Sequence, residues 1–131
     1  MIVLDASATV ELVLDTAVGA DVAHRLRGER IAAPAHLDLE VAATIRRLVR
    51  RSHMSDRDGV IALDDYRRLR TRRHPIRRLL TRAYELRATH TVSDGLYIAL
   101  AEELVVPLVT TDGPLSRSRG HGAVVELIEP S

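Results

Sequence analysis

The order of apolar and polar residues along the chain predicts alternating strands and helices. Residues 1–4 are apolar and the run stops at Asp5, which predicts a short buried strand at the start. Apolar or β-branched runs at 30–34, 105–111 and 123–128 predict three further strands. The chain therefore contains at least four segments suited to a buried sheet.

Longer segments between these runs have apolar residues three or four positions apart, which is the spacing of amphipathic helices. Ser55 and Ser93 are the expected N-cap residues of two of them, whereas residues 71–75 and a DGP turn at 112–114 interrupt the pattern. The predicted helices cover residues 7–15, 16–29, 36–51, 55–70, 76–90 and 93–104. Alternating strands and helices favour a single α/β domain, residues 1–131, with a parallel sheet covered on both faces.

The amino-acid composition excludes several classes of protein. All 19 basic residues are arginine, and the chain has neither lysine nor cysteine. Disulfides, thiolate metal sites, P-loops, Schiff-base catalysis and phospho-acceptor receiver domains each need one of these missing residues. No apolar run approaches the roughly 18 residues of a membrane span, and no basic segment introduces a signal peptide. We therefore expect a soluble cytoplasmic protein with no membrane association.

Charge is distributed unevenly along the chain. Residues 46–87 contain 14 arginines and 5 acidic residues, whereas the remainder contains 5 arginines and 13 acidic residues. The net charge of +1 therefore conceals a basic segment of +9 and an acidic remainder of −8. Such segregation favours a polyanion such as nucleic acid as partner, although a solvated helical face has the same pattern.

Four acidic residues are placed where they could meet at one end of the sheet. Asp5 and Asp112 follow predicted strands, and the ligand crevice of an open α/β sheet lies beyond the carboxyl ends of its strands. Glu40 and Asp94 lie in line with the apolar faces of their helices, whereas Asp38 is about 200° away from Glu40 around its helix. Taken singly, Asp94, Asp112 and Glu40 could be a helix-start, a turn and a surface residue, whereas Asp5 is harder to dismiss because it ends a strand that should be buried. The prediction therefore depends on the set.

Four carboxylates in one crevice need a compensating charge. Two like charges about 4 Å apart cost roughly 4 kcal/mol at an effective dielectric constant near 20. Raised pKa values or bound cations would relieve this cost. Because the chain has no lysine and most arginines lie elsewhere in the sequence, a divalent cation is the simpler choice. An all-oxygen site favours Mg²⁺ or Mn²⁺ over Zn²⁺, and such ions serve phosphoryl transfer.

Four segments resemble the acidic motifs of PIN-domain ribonucleases, in the order typical of that family. They are MIVLDAS, APAHLDLEVAATIRRL, SDGLYIALAEEL and PLVTTDGPL. The length and the position of the first motif are similar to the VapC-type toxins of bacterial toxin–antitoxin pairs, and the resemblance covers essentially the whole chain. Two positions depart from the family pattern: Ala43, where many relatives have Asn, and Gly95, where Ala is commoner.

This resemblance implies a three-layer α/β/α sandwich with a mainly parallel central sheet, and endonucleolytic cleavage of RNA that depends on Mg²⁺ or Mn²⁺. It also implies a cognate VapB-type antitoxin that blocks the active site, and a toxin homodimer. Ser7 and Thr110 match hydroxyl positions that accompany the active site in the family. The family's catalytic and metal-binding quartet corresponds to Asp5, Glu40, Asp94 and Asp112.

We expect Asp5 and Asp94 to be direct metal ligands, with Glu40 and Asp112 completing one or two ion sites. A metal-activated water would cleave the phosphodiester and leave 5′-phosphate and 3′-hydroxyl ends. His36 is expected at the surface or in support of the site, and the three tyrosines are expected to pack rather than to stack on bases. The residues expected to hold the RNA backbone are Arg46, Arg50, Arg72, Arg73, Arg77 and Arg78.

Three alternatives stay open on the residues alone. The chain could be a PIN nuclease with a housekeeping role in RNA processing, or one that acts on DNA. It could also be an interaction module whose acids bind metal without turnover. A phosphatase-like hydrolase likewise begins with a strand that ends in Asp, but it would need a second Asp where this chain has Ser7, and a lysine.

Overall fold

Five parallel strands form one sheet in residues 1–129, the part of the chain that the computed structural model describes. The strands are β1 (Ile2–Leu4), β2 (Ile31–Pro34), β3 (Arg72–His74), β4 (Leu108–Thr110) and β5 (Val125–Leu127). The helices are α1 (Ala6–Val13), α2 (Ala17–Arg25), α3 (Leu37–Arg50), α4 (Asp56–Arg68), α5 (Leu80–Glu85), α6 (Val92–Leu104) and α7 (Gly113–Ser116). A 3₁₀ turn, Arg77–Leu79, leads into α5.

The first strand of the chain is the central strand of the sheet. The strand order is β3-β2-β1-β4-β5, and Val3 of β1 pairs with Ala32 of β2 on one side and Leu108 of β4 on the other. The chain runs outward from β1 to β3 and then returns to β4 on the opposite side of β1. This reversal makes the carboxyl ends of β1 and β4 a topological switch point, where open α/β sheets bind ligands.

Side chains of β1 enter two different apolar clusters because successive residues of a strand point to opposite faces. Val3 belongs to the larger cluster, which also contains residues of α3 to α6. Ile2 and Leu4 pack with Val22 of α2 and Val109 of β4 in the smaller cluster. Helices therefore cover both faces, which confirms the predicted α/β/α architecture. In residues 1–129, no helix has the length and apolar content to cross a membrane.

The structure differs from the sequence prediction at three places. Residues 71–75, predicted to interrupt the pattern, contain the edge strand β3, whose side chains are polar because an edge strand needs no buried face. The turn predicted at 112–114 opens the short helix α7. Helix α6 is capped by Thr91 rather than Ser93, since the Thr91 hydroxyl oxygen accepts from the Asp94 N–H at 3.1 Å.

A close contact between α5 and α6 accounts for the glycine that departs from the family pattern. A Cβ atom at Gly95 would lie 3.0 Å from the carbonyl oxygen of Ala83 and 3.2 Å from its Cβ. Any larger residue would push α5 away from α6. Gly95 thus permits the close approach of two helices, which compensates for its low helix propensity.

Candidate active site

Asp5 ends the central strand and also caps the helix that follows it. Its Oδ1 accepts hydrogen bonds from the Ala8 N–H at 2.9 Å and from the Ser7 hydroxyl at 2.8 Å. Its Oδ2 accepts from the Thr110 hydroxyl at 2.5 Å. The residue is 4% exposed. Two donors from the first turn of α1 and one from the end of β4 therefore hold this carboxylate in one orientation.

The two hydroxyl residues matched by family motif connect Asp5 to the next strand. Ser7 Oγ lies 3.3 Å from Thr110 Oγ1 and accepts a hydrogen bond from the Thr111 N–H at 3.2 Å. Thr110 Oγ1 also accepts from the Asp112 N–H at 2.9 Å. Through Thr110, the backbone of Asp112 is thus coupled to the Asp5 carboxylate.

Asp112 and Asp94 lie at the starts of two different helices. Asp112 is the N-cap of α7, and its Oδ1 accepts a long hydrogen bond of 3.3 Å from the Leu115 N–H. Asp94 lies in the first turn of α6 and is partly buried. Both carboxylates benefit from the partial positive charge of a helix N-terminus.

Glu40 is held by Ser93 and Tyr97, which the sequence did not assign to the site, and lies beside His36, which was expected at the surface or in support of the site. The Tyr97 hydroxyl donates to Glu40 Oε1 at 2.6 Å, and the Ser93 hydroxyl donates to Oε2 at 2.8 Å. Nε2 of His36 lies 3.2 Å from Oε1 of Glu40. The ring centroids of His36 and Tyr97 are 4.9 Å apart. The available signal was spacing: Ser93 and Tyr97 are four residues apart, on one face of α6.

The charges of the four acids act on one another. Burial raises the pKa of Asp5 to about 6, and the negative charge of Asp112 raises it as well. Burial also raises the pKa of Asp94, with further contributions from the charges of Asp112 and Glu40. Loss of hydration and mutual repulsion therefore both disfavour the ionised carboxylates, as the sequence led us to expect for acids sharing one crevice.

The donor set fits a hard divalent cation. All four side chains offer anionic oxygens, and in residues 1–129 the only basic side chain within 4.0 Å of any of them is that of His36, beside Glu40. Asp5 Oδ2 accepts one hydrogen bond and so keeps a free lone pair. In the same range, however, no three Asp, Glu or His side chains are grouped closely enough to hold a metal ion. The oxygens suit Mg²⁺ or Mn²⁺, although they do not form a completed site.

The six arginines predicted to hold RNA differ in their environments. Arg73 forms an ion pair with Asp38 at 2.8 Å, and Arg78 forms one with Glu103 at 2.7 Å. The other four are exposed and make no ion pair within residues 1–129: Arg46, Arg50, Arg72 and Arg77. The contact of these six residues with RNA stays a prediction.

Comparisons with known proteins agree with the geometry. A model of the PIN domain matches residues 2–120. Ribonuclease VapC12 of Mycobacterium tuberculosis is 55% identical over 128 residues, which cover 98% of this chain and 99% of the relative. Ribonuclease VapC9 of the same organism is 39% identical over 116 residues, covering 88% and 89% of the two chains.

A solved structure has a similar fold. The crystal structure of Mycobacterium tuberculosis VapC20, described as a sarcin-ricin loop cleaving toxin, superimposes with a TM-score of 0.67. The match covers 95% of this chain and 98% of VapC20, at 18% sequence identity. At this level of identity, the likeness concerns the fold alone.

Proposed function

This chain belongs to the PIN-domain family, in the group of the VapC ribonucleases, and we propose that it is an endoribonuclease that depends on Mg²⁺ or Mn²⁺. The observation that carries the proposal is the environment of Asp5. This carboxylate lies at the topological switch point and has no basic partner in residues 1–129. Burial and the negative charge of Asp112 both raise its pKa. A divalent cation bound at this carboxylate would compensate its negative charge and that of Asp112.

In the proposed mechanism, Asp5 and Asp94 would ligate the ion, and Asp112 and Glu40 would complete one or two ion sites, directly or through water. A bound Mg²⁺ or Mn²⁺ would supply Lewis acidity, which would polarise the scissile phosphate and lower the pKa of a water molecule. Hydrogen bonds from Ser7 and Thr110 fix the direction of the Asp5 oxygens. The expected products carry 5′-phosphate and 3′-hydroxyl ends.

We extend the proposal to the biological role. The chain, residues 1–131, would act as one cytoplasmic domain and as the toxin of a toxin–antitoxin pair. A cognate VapB-type antitoxin would neutralise it, and the toxin would form a homodimer. Support for these roles comes from the VapC group to which the chain belongs.

A cleavage assay with matched variants tests the activity. Purified protein is incubated with total RNA, with Mg²⁺ or with excess chelator, and the ends of the fragments are determined. We expect cleavage with Mg²⁺ only, and its loss in Asp94→Asn. The control is Asp21→Asn, which removes one exposed carboxylate of α2 that makes no side-chain hydrogen bond or ion pair in residues 1–129.

Other outcomes would favour the alternatives. Metal binding without cleavage of RNA or DNA by the wild type would indicate an interaction module. Cleavage that persists in chelator, or fragments with 2′,3′-cyclic phosphate ends, would contradict the metal-dependent mechanism. Growth arrest on expression, absent in Asp94→Asn but present in Asp21→Asn, would support a nuclease over an interaction module, and a short antitoxin-like reading frame just upstream would favour a toxin over a housekeeping nuclease.

A further inference from the structure

A large basic cleft lies along the edge of the sheet formed by β2 and β3. It has a volume of about 790 Å³. Its walls come from the loop before β2, the last turn of α4 and the loop and strand that follow, and one acidic residue, Glu29, takes part. Six arginines line the cleft: Arg30, Arg67, Arg68, Arg70, Arg72 and Arg73. Arg30 joins them from outside the basic segment, because β2 pairs with β3.

Most of this positive charge is uncompensated. Arg68 pairs with Asp64 and Arg73 with Asp38, each at 2.8 Å. Glu29 is itself neutralised, since its Oε2 lies 2.6 Å from the N-terminal amine and its Oε1 lies 3.5 Å from Arg25. The four remaining arginines make no ion pair or side-chain hydrogen bond within residues 1–129: Arg30, Arg67, Arg70 and Arg72.

The cleft and the acidic residues lie at different ends of the sheet. Arg30 directly precedes β2 and Arg70 precedes β3, whereas Asp5 and Asp112 follow β1 and β4. Because β2 has four residues, the two ends are about 13 Å apart at a rise of about 3.3 Å per residue. A polyanion bound in the cleft would therefore not occupy the acidic crevice.

The lining of the cleft favours a phosphate backbone over a protein surface. Guanidinium groups match phosphate oxygens in a bidentate geometry. Protein interfaces need an apolar centre, but Ile31 and Leu69 are the only large apolar residues here, and both are partly buried. No aromatic side chain lines the cleft, so bases cannot stack there.

We propose that this cleft binds the sugar–phosphate backbone of the RNA substrate at a distance from the cut. The inference rests on the proposed ribonuclease function and defines its substrate class. About 13 Å corresponds to on the order of four nucleotides of stacked strand, at about 3.4 Å per nucleotide. We infer that a stacked or double-stranded flank next to the cleavage site supplies this backbone, because stacking holds successive phosphates at a fixed spacing, and that it is recognised by its backbone rather than by its sequence.

The test measures binding without cleavage. In an Asp94→Asn background, Arg67→Gln with Arg70→Gln removes two charges from the cleft. The matched control, Arg51→Gln with Arg57→Gln, removes two exposed arginines that line no part of it and make no ion pair in residues 1–129. Fluorescence anisotropy gives the Kd for a labelled hairpin RNA and for a single-stranded RNA over a range of salt concentrations.

We expect the cleft variant to bind the hairpin more weakly. The negative slope of log K against log salt should become shallower by about 2, because each lost phosphate contact reduces its magnitude by about 1. The control should keep the slope of the parent, and the single strand should be affected less than the hairpin. This readout is independent of catalysis, so a protein that binds hairpin RNA through the cleft but cuts nothing would refute only the ribonuclease function.

Two results would overturn the inference. Equal losses in the cleft variant and the control would mean that binding depends on net charge rather than on this cleft. Unchanged hairpin affinity in the cleft variant, with loss of binding to labelled poly-glutamate, would identify the occupant as an acidic protein segment instead. Thermal melts of all variants confirm that the exposed substitutions leave the fold intact.

Discussion

The hydroxyl of Tyr97 donates a hydrogen bond of 2.6 Å to Oε1 of Glu40 and thereby connects α6 to α3 beside the candidate site. Tyr97 is only 1% exposed, so packing fixes its ring. Tyr97→Phe removes the hydroxyl and keeps the ring. Since a hydrogen bond to a charged group contributes about 1.5–3 kcal/mol, we expect kcat to fall by at least about tenfold, which corresponds to ~1.4 kcal/mol. KM should change little, because Glu40 would be misoriented rather than lost.

Tyr84→Phe is the matched control for this substitution. Tyr84 is 58% exposed and its hydroxyl makes no hydrogen bond within residues 1–129. Steady-state cleavage of a labelled RNA gives both parameters for both variants. Equal kcat values for Tyr97→Phe and Tyr84→Phe would mean that the hydrogen bond from Tyr97 to Glu40 has no catalytic role.

The raised pKa of Asp5 predicts a specific dependence of stability on pH without metal. The folded-state pKa is about 6, against an ordinary value of 3.8. The folded protein therefore binds the proton more tightly than the unfolded chain, so ionisation of Asp5 lowers stability as pH rises from about 4 to about 6. About two pKa units correspond to roughly 3 kcal/mol.

Asp5→Asn isolates this contribution, since the amide keeps an oxygen for the Ala8 N–H and cannot ionise. Urea unfolding in chelator gives the free energy of unfolding of both proteins at several pH values. The free energy of unfolding of the wild type, relative to that of the variant, should fall as pH rises from about 4 to about 6 and stay constant above that interval. Parallel curves would show that the pKa of Asp5 is the same in the folded and the unfolded protein.

Divalent metal should stabilise the folded protein through the same acids. A ligand that binds only the folded state adds about 2.7 kcal/mol at one hundred times its Kd. We expect Mg²⁺ or Mn²⁺ to raise the Tm of the wild type and of Asp21→Asn, and to raise that of Asp94→Asn much less. Identical shifts in all three proteins would place any bound cation outside the acidic crevice.

Val105 ends α6 in a strained backbone conformation. Its φ angle is +55°, in the left-handed region that β-branched residues avoid, and its side chain is 87% exposed. The left-handed conformation costs an L-residue about 1–2 kcal/mol, and exposure leaves little packing to lose. We expect Val105→Gly to raise the free energy of unfolding by about 1 kcal/mol.

Val124→Gly is the comparison for this prediction, because Val124 is 66% exposed but has no positive φ angle. Chemical denaturation should show this variant to be unchanged or less stable. A loss of stability in Val105→Gly as well would mean that the side chain of Val105 makes contacts that offset its strain.

Much of the fold could be predicted because its signals are local. The apolar run that ends at Asp5 and the helical spacing before Glu40 each depend on neighbouring residues only. Edge strand β3 was missed because only one of its sides is paired, which leaves its sequence polar. Thr91 and Ser93 are both good N-cap residues, and the choice of Thr91 follows from a tertiary contact, since Ser93 bonds Glu40.

The positions of the four acids and of the hydroxyl residues Ser7 and Thr110 could be predicted from the sequence, whereas their roles in metal binding and catalysis stay predictions. Acids that directly follow parallel strands lie at the same edge of the sheet, and the alternation of strands and helices along the chain predicts such a sheet. The support of Glu40 by Tyr97 depends on how α3 and α6 pack, and the entry of Arg30 into the basic cleft depends on the pairing of β2 with β3. The entry of Arg30 has no signal in a single sequence, and the support of Glu40 has only the four-residue spacing of Ser93 and Tyr97 on α6.

Asp5 is both the cap of α1 and the central acid of the site, and this has a consequence for genetic selections. Cells that escape toxicity by mutation at Asp94 should accumulate normal amounts of inactive protein. Escape by Asp5→Ala also removes three hydrogen bonds, of which the one from the Ala8 N–H caps α1, so that protein should be depleted by proteolysis. Immunoblots of survivors would then separate mutations at the two positions by abundance, although both abolish the same activity.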